Sequence, residues 1–161
     1  MMEWHILPGY VREDEIRQLF EEYTALLLAG DPEFAGYLAL QYYEDELSHP
    51  ARKYAPPAGR LYLACCGGRA AGCIALKALE DKRCEMKRLY VRPEYRGQGI
   101  ARALVEHAMQ ALEKEGIQKT ALVVFARNEA GNAFWEKLGF TGRDDLVYRN
   151  KNIHPLTRLD T

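Results

Sequence analysis

Arg96-Gly97-Gln98-Gly99 stands between a run that reads as a strand ending at Val91 and a run that turns helical from Gly99. Glycines at such a junction remove side chains where the first helical turn exposes N–H groups without intrahelical acceptors. The helix dipole adds partial positive charge there, so the turn suits an anion such as a pyrophosphate. Arg96 and Arg102 add formal charge. Two other phosphate loops do not fit: no Gly-Lys-Ser/Thr follows, and Arg102 occupies the place where a GxGxxG turn needs its third small residue. A plain tight turn with its arginines in water is the competing reading of this stretch alone.

The elements around the turn decide where it points. CEMKRLYV (84–91) is strand-like, Ile100, Leu104, Ala108 and Leu112 form one helical stripe that Gly116 stops, and KTALVVF (119–125) returns as a buried strand. Strand, helix, strand predicts a crossover unit with two parallel strands and the helix packed on one face, and the glycine turn lies at the carboxyl end of the first strand. RLYLACC (60–66) and AGCIALKAL (71–79), separated by Gly67-Gly68 and followed by Glu80-Asp81-Lys82, predict an antiparallel meander leading into that unit. Before it come a short strand over 2–7, a helix over 13–28 stopped by Gly30, a second helix over 33–48 capped by Asp31-Pro32, and a loop over 50–59. The fold class is α+β in three layers, with a mixed, mostly antiparallel central sheet containing one parallel pair.

The chain has 161 residues, the size of a single domain over 1–161, and a formal net charge of -1 with 28% charged residues. That balance argues against nucleic acid or an anionic membrane as the main partner, since each favours a basic face, and leaves a small molecule. No apolar run approaches a membrane span, and MMEWHILPG has neither a basic n-region nor an apolar h-region, so the cytosol is expected. Cys65, Cys66, Cys73 and Cys84 form no CxxC and read as small buried hydrophobes. His5, His49, His107 and His154 are scattered away from regular acidic or cysteine spacing, so no metal is expected.

RGQGIA fits the (Arg/Gln)-x-x-Gly-x-(Gly/Ala) pattern of the GNAT superfamily of N-acetyltransferases, at the end of EMKRLYV and after Pro93. Asn128 and then GNAFWEKLGF (131–140) resemble its second cofactor motif, an Asn before a helix and an aromatic residue before Glu-Lys-Leu-Gly-Phe. The resemblance runs from about Arg60 to Phe140 and is only topological before that. It implies the GNAT acyltransferase fold, with the fourth and fifth strands splayed around acetyl-CoA as acyl donor. Backbone amides of Arg96, Gly97, Gln98, Gly99, Ile100, Ala101 and Arg102 would hold the pyrophosphate, while the main chain of Leu89, Tyr90 and Val91 would pair with the pantetheine arm as another strand. One of those strand N–H groups would face the thioester oxygen and stabilise an oxyanion. Asn128 and the 131–138 helix would close the other side.

The resemblance also makes Glu85 the expected catalytic base, because it lies on the fourth strand six residues before Val91, where several relatives carry one. An ammonium of pKa about 10 cannot attack until it loses a proton, and a partly desolvated carboxylate can take it. The alternative is a sheet-face charge paired with Lys82, Arg83 or Lys87. Where many relatives place a tyrosine that protonates the leaving thiolate, this chain has Trp135, whose indole N–H donates a hydrogen bond but delivers no proton. Tyr90 and Tyr148 are possible substitutes or packing residues.

For the acceptor side the resemblance points to the 33–48 helix and the following loop, with Tyr37, Gln41, Tyr42, Tyr43 and Tyr54. The acidic run Glu44-Asp45-Glu46 would favour a cationic amine unless it is an ordinary solvated face. The expected activity is acetyl transfer from acetyl-CoA to a small primary amine by direct attack, with a possible homodimer. A protein acceptor and a non-catalytic acyl-CoA-binding module are the alternatives, the first needing an open groove rather than a pocket.

Overall fold

The computed structural model describes residues 3–143 and 153–158. One seven-stranded sheet runs through the molecule in the order β1 (Trp4–Pro8), β2 (Gly59–Cys66), β3 (Arg69–Ala78), β4 (Arg83–Val91), β5 (Lys119–Phe125), β7 (Ile153–Arg158), β6 (Thr141–Gly142). Every neighbouring pair is antiparallel except β4 and β5, which are parallel. The meander, the crossover and the mixed sheet stand as expected. The tail adds two strands that the sequence reading did not include.

Helices cover both faces of this sheet. α5 (Ile100–Lys114) buries Ile100, Leu104, Ala108 and Leu112 against Ile74, Leu76, Met86 and Leu122. α1 (Glu13–Gly30) buries Ile16, Leu19 and Phe20 against Leu61, Leu63, Cys73 and Ala75. Alternate residues of β3 therefore feed opposite cores, and its continuous apolar run from Ala70 to Leu76 is the signature of a strand covered on both faces. All four cysteines are buried and free. Among the described residues no helix is long and apolar enough to cross a membrane.

Between α1 and β2 the chain departs from expectation. In place of one helix over 33–48 there are α2 (Phe34–Leu40) and α3 (Tyr43–Ser48), broken at Tyr42, which adopts a left-handed conformation with φ 55°. Such a conformation ends a helix, and Tyr42 points out at 75% exposure. Asp31 stops α1 and sets up the next turn, its Oδ1 accepting from the Glu33 amide at 3.0 Å, but α2 begins only at Phe34. The stretch expected as a loop opens with a short helix, α4 (Pro50–Lys53), with Pro50 in its first turn.

Candidate active site

The crossover helix α5 begins at an open turn. Gly97 and Gly99 take φ values of 82° and 84°, and a Cβ added to either would meet no atom within 4 Å, so a side chain there would be strained and would project into open space. The amides of Gly97, Gln98 and Gly99 donate to no backbone carbonyl among the described residues. Ile100, Ala101 and Arg102 follow in the first turn, whose N–H groups lack acceptors by construction. Gln98 Oε1 is buried without a hydrogen-bond partner. Arg96 is fixed beside the turn, its Nε donating to the Val91 carbonyl at 2.9 Å and its guanidinium over the Tyr90 ring. Arg102 is exposed.

A cleft of about 400 Å³ runs inward from Arg96 and Ala101, on either side of that turn. It exists because β4 and β5 pair only over Arg83↔Lys119, Cys84↔Thr120 and Glu85↔Ala121. Beyond those pairs the strands part, leaving the facing edges of Leu89, Tyr90 and Val91 on one side and of Leu122 to Phe125 on the other as cleft walls. Ala101, Asn128 and Trp135 also line it. α6 (Glu129–Lys137) forms its far wall, capped by Asn128, whose side chain accepts from the Gly131 amide at 2.9 Å. A Cβ on Gly131 would stand 2.5 Å from the Asn128 side-chain nitrogen, which explains the glycine three residues after the cap. Trp135 is buried and stacks edge-on with Phe134 and Phe140.

Glu85 is buried at the last paired rung of β4 and β5, and it lines the inner end of the cleft. Tyr90 lines the cleft as well, but its hydroxyl donates to Glu22, a carboxylate also clamped by Arg92 through Nε and Nη2. Burial, and then the Glu22 charge, raise the Tyr90 pKa, so its proton is held more firmly than in a free phenol. Tyr148 lies outside the described residues.

The end of the cleft near α3 holds what the sequence reading missed. The register of β3 and β4 shifts between Cys73 and Ala75, and Arg88 sits in that bulge with φ 59°. Its guanidinium reaches α3: Nε donates to Glu46 Oε2 at 2.7 Å, and Nη2 donates to Glu46 Oε1 at 3.0 Å and to Gln41 Oε1 at 2.6 Å. The Tyr43 ring lies 5.2 Å from the same group, and Lys53 Nζ donates to Glu46 Oε1 at 2.6 Å. Burial alone would raise the Glu46 pKa, but hydrogen bonds and charge from Arg88 and Lys53 outweigh it and hold the carboxyl at about 2. Burial likewise works against the charged form of Arg88, and the Glu46 contacts overcome it. Lys87, on the same stretch of β4, is pulled down to about 8 by burial and then by the Arg88 charge, with Glu85 opposing.

This arrangement corrects the expectation for the acidic run. Glu44 and Asp45 are exposed to solvent and do not line the cleft, and Glu46 is committed to Arg88 and Lys53. Of the residues expected there, Gln41 reaches the cleft, whereas Tyr54 is fully buried against Phe20. The side chain of Tyr37 lies outside what the structure describes. The one available signal was adjacent Lys87-Arg88 inside a strand that is otherwise buried.

The sequence model of the acetyltransferase (GNAT) family matches residues 13–140. The chain belongs to this family. An uncharacterized N-acetyltransferase of Schizosaccharomyces pombe is 40% identical over 111 residues, covering 68% of this chain and 64% of that protein. A spermidine N(1)-acetyltransferase of Thermoplasma acidophilum is 37% identical over 73 residues, covering 45% of each chain. The [ribosomal protein bS18]-alanine N-acetyltransferase of Escherichia coli is 42% identical over 67 residues, covering 42% of this chain and 43% of that protein. The matches thus span about two thirds of the first relative and under half of the others. Among solved structures, the PaiA N-acetyltransferase of Thermoplasma acidophilum in complex with coenzyme A superposes with a TM-score of 0.79 at 23% identity, covering 98% of this chain and 99% of that one. At that identity the likeness concerns the fold alone.

Proposed function

We propose that the protein is an acetyl-CoA-dependent N-acetyltransferase acting by direct attack on the primary amine of a small molecule. The observation that carries this reading is the continuity of one cleft, from Arg96 and Ala101, which flank the glycine turn, to the buried carboxylate of Glu85. Acetyl-CoA fits what the chain offers, and when bound it supplies an acetyl thioester. The amides from Gly97 to Arg102 hold its pyrophosphate, with Arg96 adding charge. The open edge at Leu89 to Val91 supplies backbone groups for the amide-bearing arm, and Asn128 and Trp135 form the opposite wall. Glu85 accepts the proton that the incoming ammonium must lose. Nitrogen then bonds to the acyl carbon and the carbon–sulfur bond breaks; the nitrogen gives up its second proton to solvent, and the departing thiolate takes one from solvent. A thiol of pKa about 8.5 is an acceptable leaving group near neutrality. Phe34 and Gln41 wall the cleft on the acceptor side, which suits a small acceptor better than an extended peptide.

Acetyl-CoA at 100 times its Kd should stabilise the fold by about 2.7 kcal/mol and raise the melting temperature accordingly. Gly99→Val should abolish that shift while circular dichroism shows the fold retained. A melting curve that saturating acetyl-CoA leaves unmoved would rule out this reading, and so would the absence of thiol release across a panel of amines.

A further inference from the structure

Among the described residues the charged groups on the cleft wall are Glu85, Lys87, Arg88 and Arg96, one carboxylate against three cations. Arg96 stands at the mouth beside the glycine turn, so the inner end holds Glu85 with Lys87 and Arg88. Glu46 does not redress this balance, because Arg88 and Lys53 both bind it.

Arg88 is only 4% exposed, yet it spends only part of its fork. Among the described residues, Nε and Nη2 make all of the guanidinium's hydrogen bonds, and Nη1, on a side chain that lines the cleft, makes none. Lys87 lines the same cleft and has neither an ion pair nor a hydrogen bond among the described residues. Lys87 is half-buried, and both side chains line the cleft with donor capacity that no described residue takes up, so the cleft offers two cations to an acceptor that arrives from outside. A second ammonium, such as the far end of a polyamine, would meet two cations here.

Resting on the acetyl-transfer reading of this cleft, we propose that the acceptor is an amine that also carries a carboxylate, an amino acid rather than a polyamine, with its carboxylate taken by Arg88 Nη1 and the Lys87 ammonium. Glu85, two residues from Lys87 along the strand, is then left to the amine. The lowered pKa of Lys87 agrees with a cation that has burial and a like charge against it, and an incoming carboxylate counters the second of these.

The test is thiol release from acetyl-CoA with alanine, leucine and phenylalanine, each compared with its own carboxamide, and with spermidine. The best amino acid should exceed its carboxamide by about tenfold or more in kcat/KM, the scale of a charge-assisted hydrogen bond, and spermidine should be poorer still. Lys87→Gln should shrink the acid-to-amide ratio severalfold, with the loss in KM for the amino acid. An undiminished acetyl-CoA melting shift would certify that this variant is folded and loaded. Carboxamides or spermidine turned over as fast as the amino acids would overturn the proposal while leaving acetyl transfer intact, as would a Lys87→Gln variant that slows acid and amide equally. Thiol release with none of these amines, or with any other, would bring down the acetyl-transfer reading and this one together.

Discussion

The two ends of the cleft are made of different materials. The end proposed to take the donor is backbone: an open glycine turn, two strand edges that part, and a helix capped by Asn128. The end proposed to take the acceptor is side chain: a guanidinium in a β-bulge, gripping a carboxylate 42 residues away and resting on an aromatic ring. Backbone groups are common to every residue and tolerate change in the side chains around them. Buried ion pairs do not, because removing one partner leaves the other charged and dry. A family that keeps one donor and varies its acceptors would divide its construction in this way.

The sharpest attack on this contrast is Arg88→Met, which leaves Glu46 buried without its main partner and should cost about 3–5 kcal/mol in chemical denaturation. Arg88→Met with Glu46→Leu should recover most of that loss, since an apolar pair of similar volume removes the stranded charge. The pH dependence gives a second readout of the pair. Glu46 has a folded pKa of about 2, below the ordinary 4.5, so its stabilisation is fully present above pH 4.5 and is lost as pH falls toward 2. Glu46→Gln should flatten that acid limb. If the single Arg88→Met variant is as stable as the natural chain, the acceptor end does not depend on this pair and the contrast fails.

Glu85 stands where the two materials meet, on the last rung before the strands part. Glu85→Gln should lower kcat by about 10²-fold at neutral pH and leave the melting shift with acetyl-CoA nearly unchanged. A variant with the natural rate would assign proton removal to water or to the acceptor itself, and Glu85 would be a structural charge.

The same division explains what could be read from the sequence. The donor end is local in the chain: the strand, RGQGIA and the helix stripe lie within about thirty residues, and Asn128 follows after one more strand. Glycine spacing and periodicity suffice there, and β2 to β5 fell within two residues of their expected bounds. Nothing local marks the acceptor end. The bulge at Arg88 comes from the pairing of β4 with β3, and its partners Glu46 and Gln41 lie 42 and 47 residues away. The break at Tyr42 is equally hidden, because apolar periodicity continues across it while the left-handed residue ends the helix. β7 was obscured by Pro155, which counts against a strand in isolation although it pairs opposite Val123. β6, with two residues, has no period to detect.

Trp135 gives the smallest expected effect and the closest test of the donor end as a surface of shape rather than of reactive side chains. It is 8% exposed, wedged edge-on between Phe134 and Phe140, and it lines the cleft. An indole has no proton to deliver at ordinary pH, so its contribution lies in area and fit. Trp135→Phe should therefore keep most of the rate, with a loss of under about tenfold from imperfect packing and some lowering of the melting temperature. A loss matching that of Glu85→Gln, with acetyl-CoA binding intact, would mean that the indole N–H stabilises the transition state, and a donor side chain would then do what is here assigned to backbone. Trp135→Tyr separates the remaining cases. A faster enzyme would show that departure of the thiolate limits turnover and that an acid at this position relieves it. An unchanged rate would place the limiting step earlier, at loss of the amine proton or at its attack, and return the chemistry to the Glu85 end of the cleft.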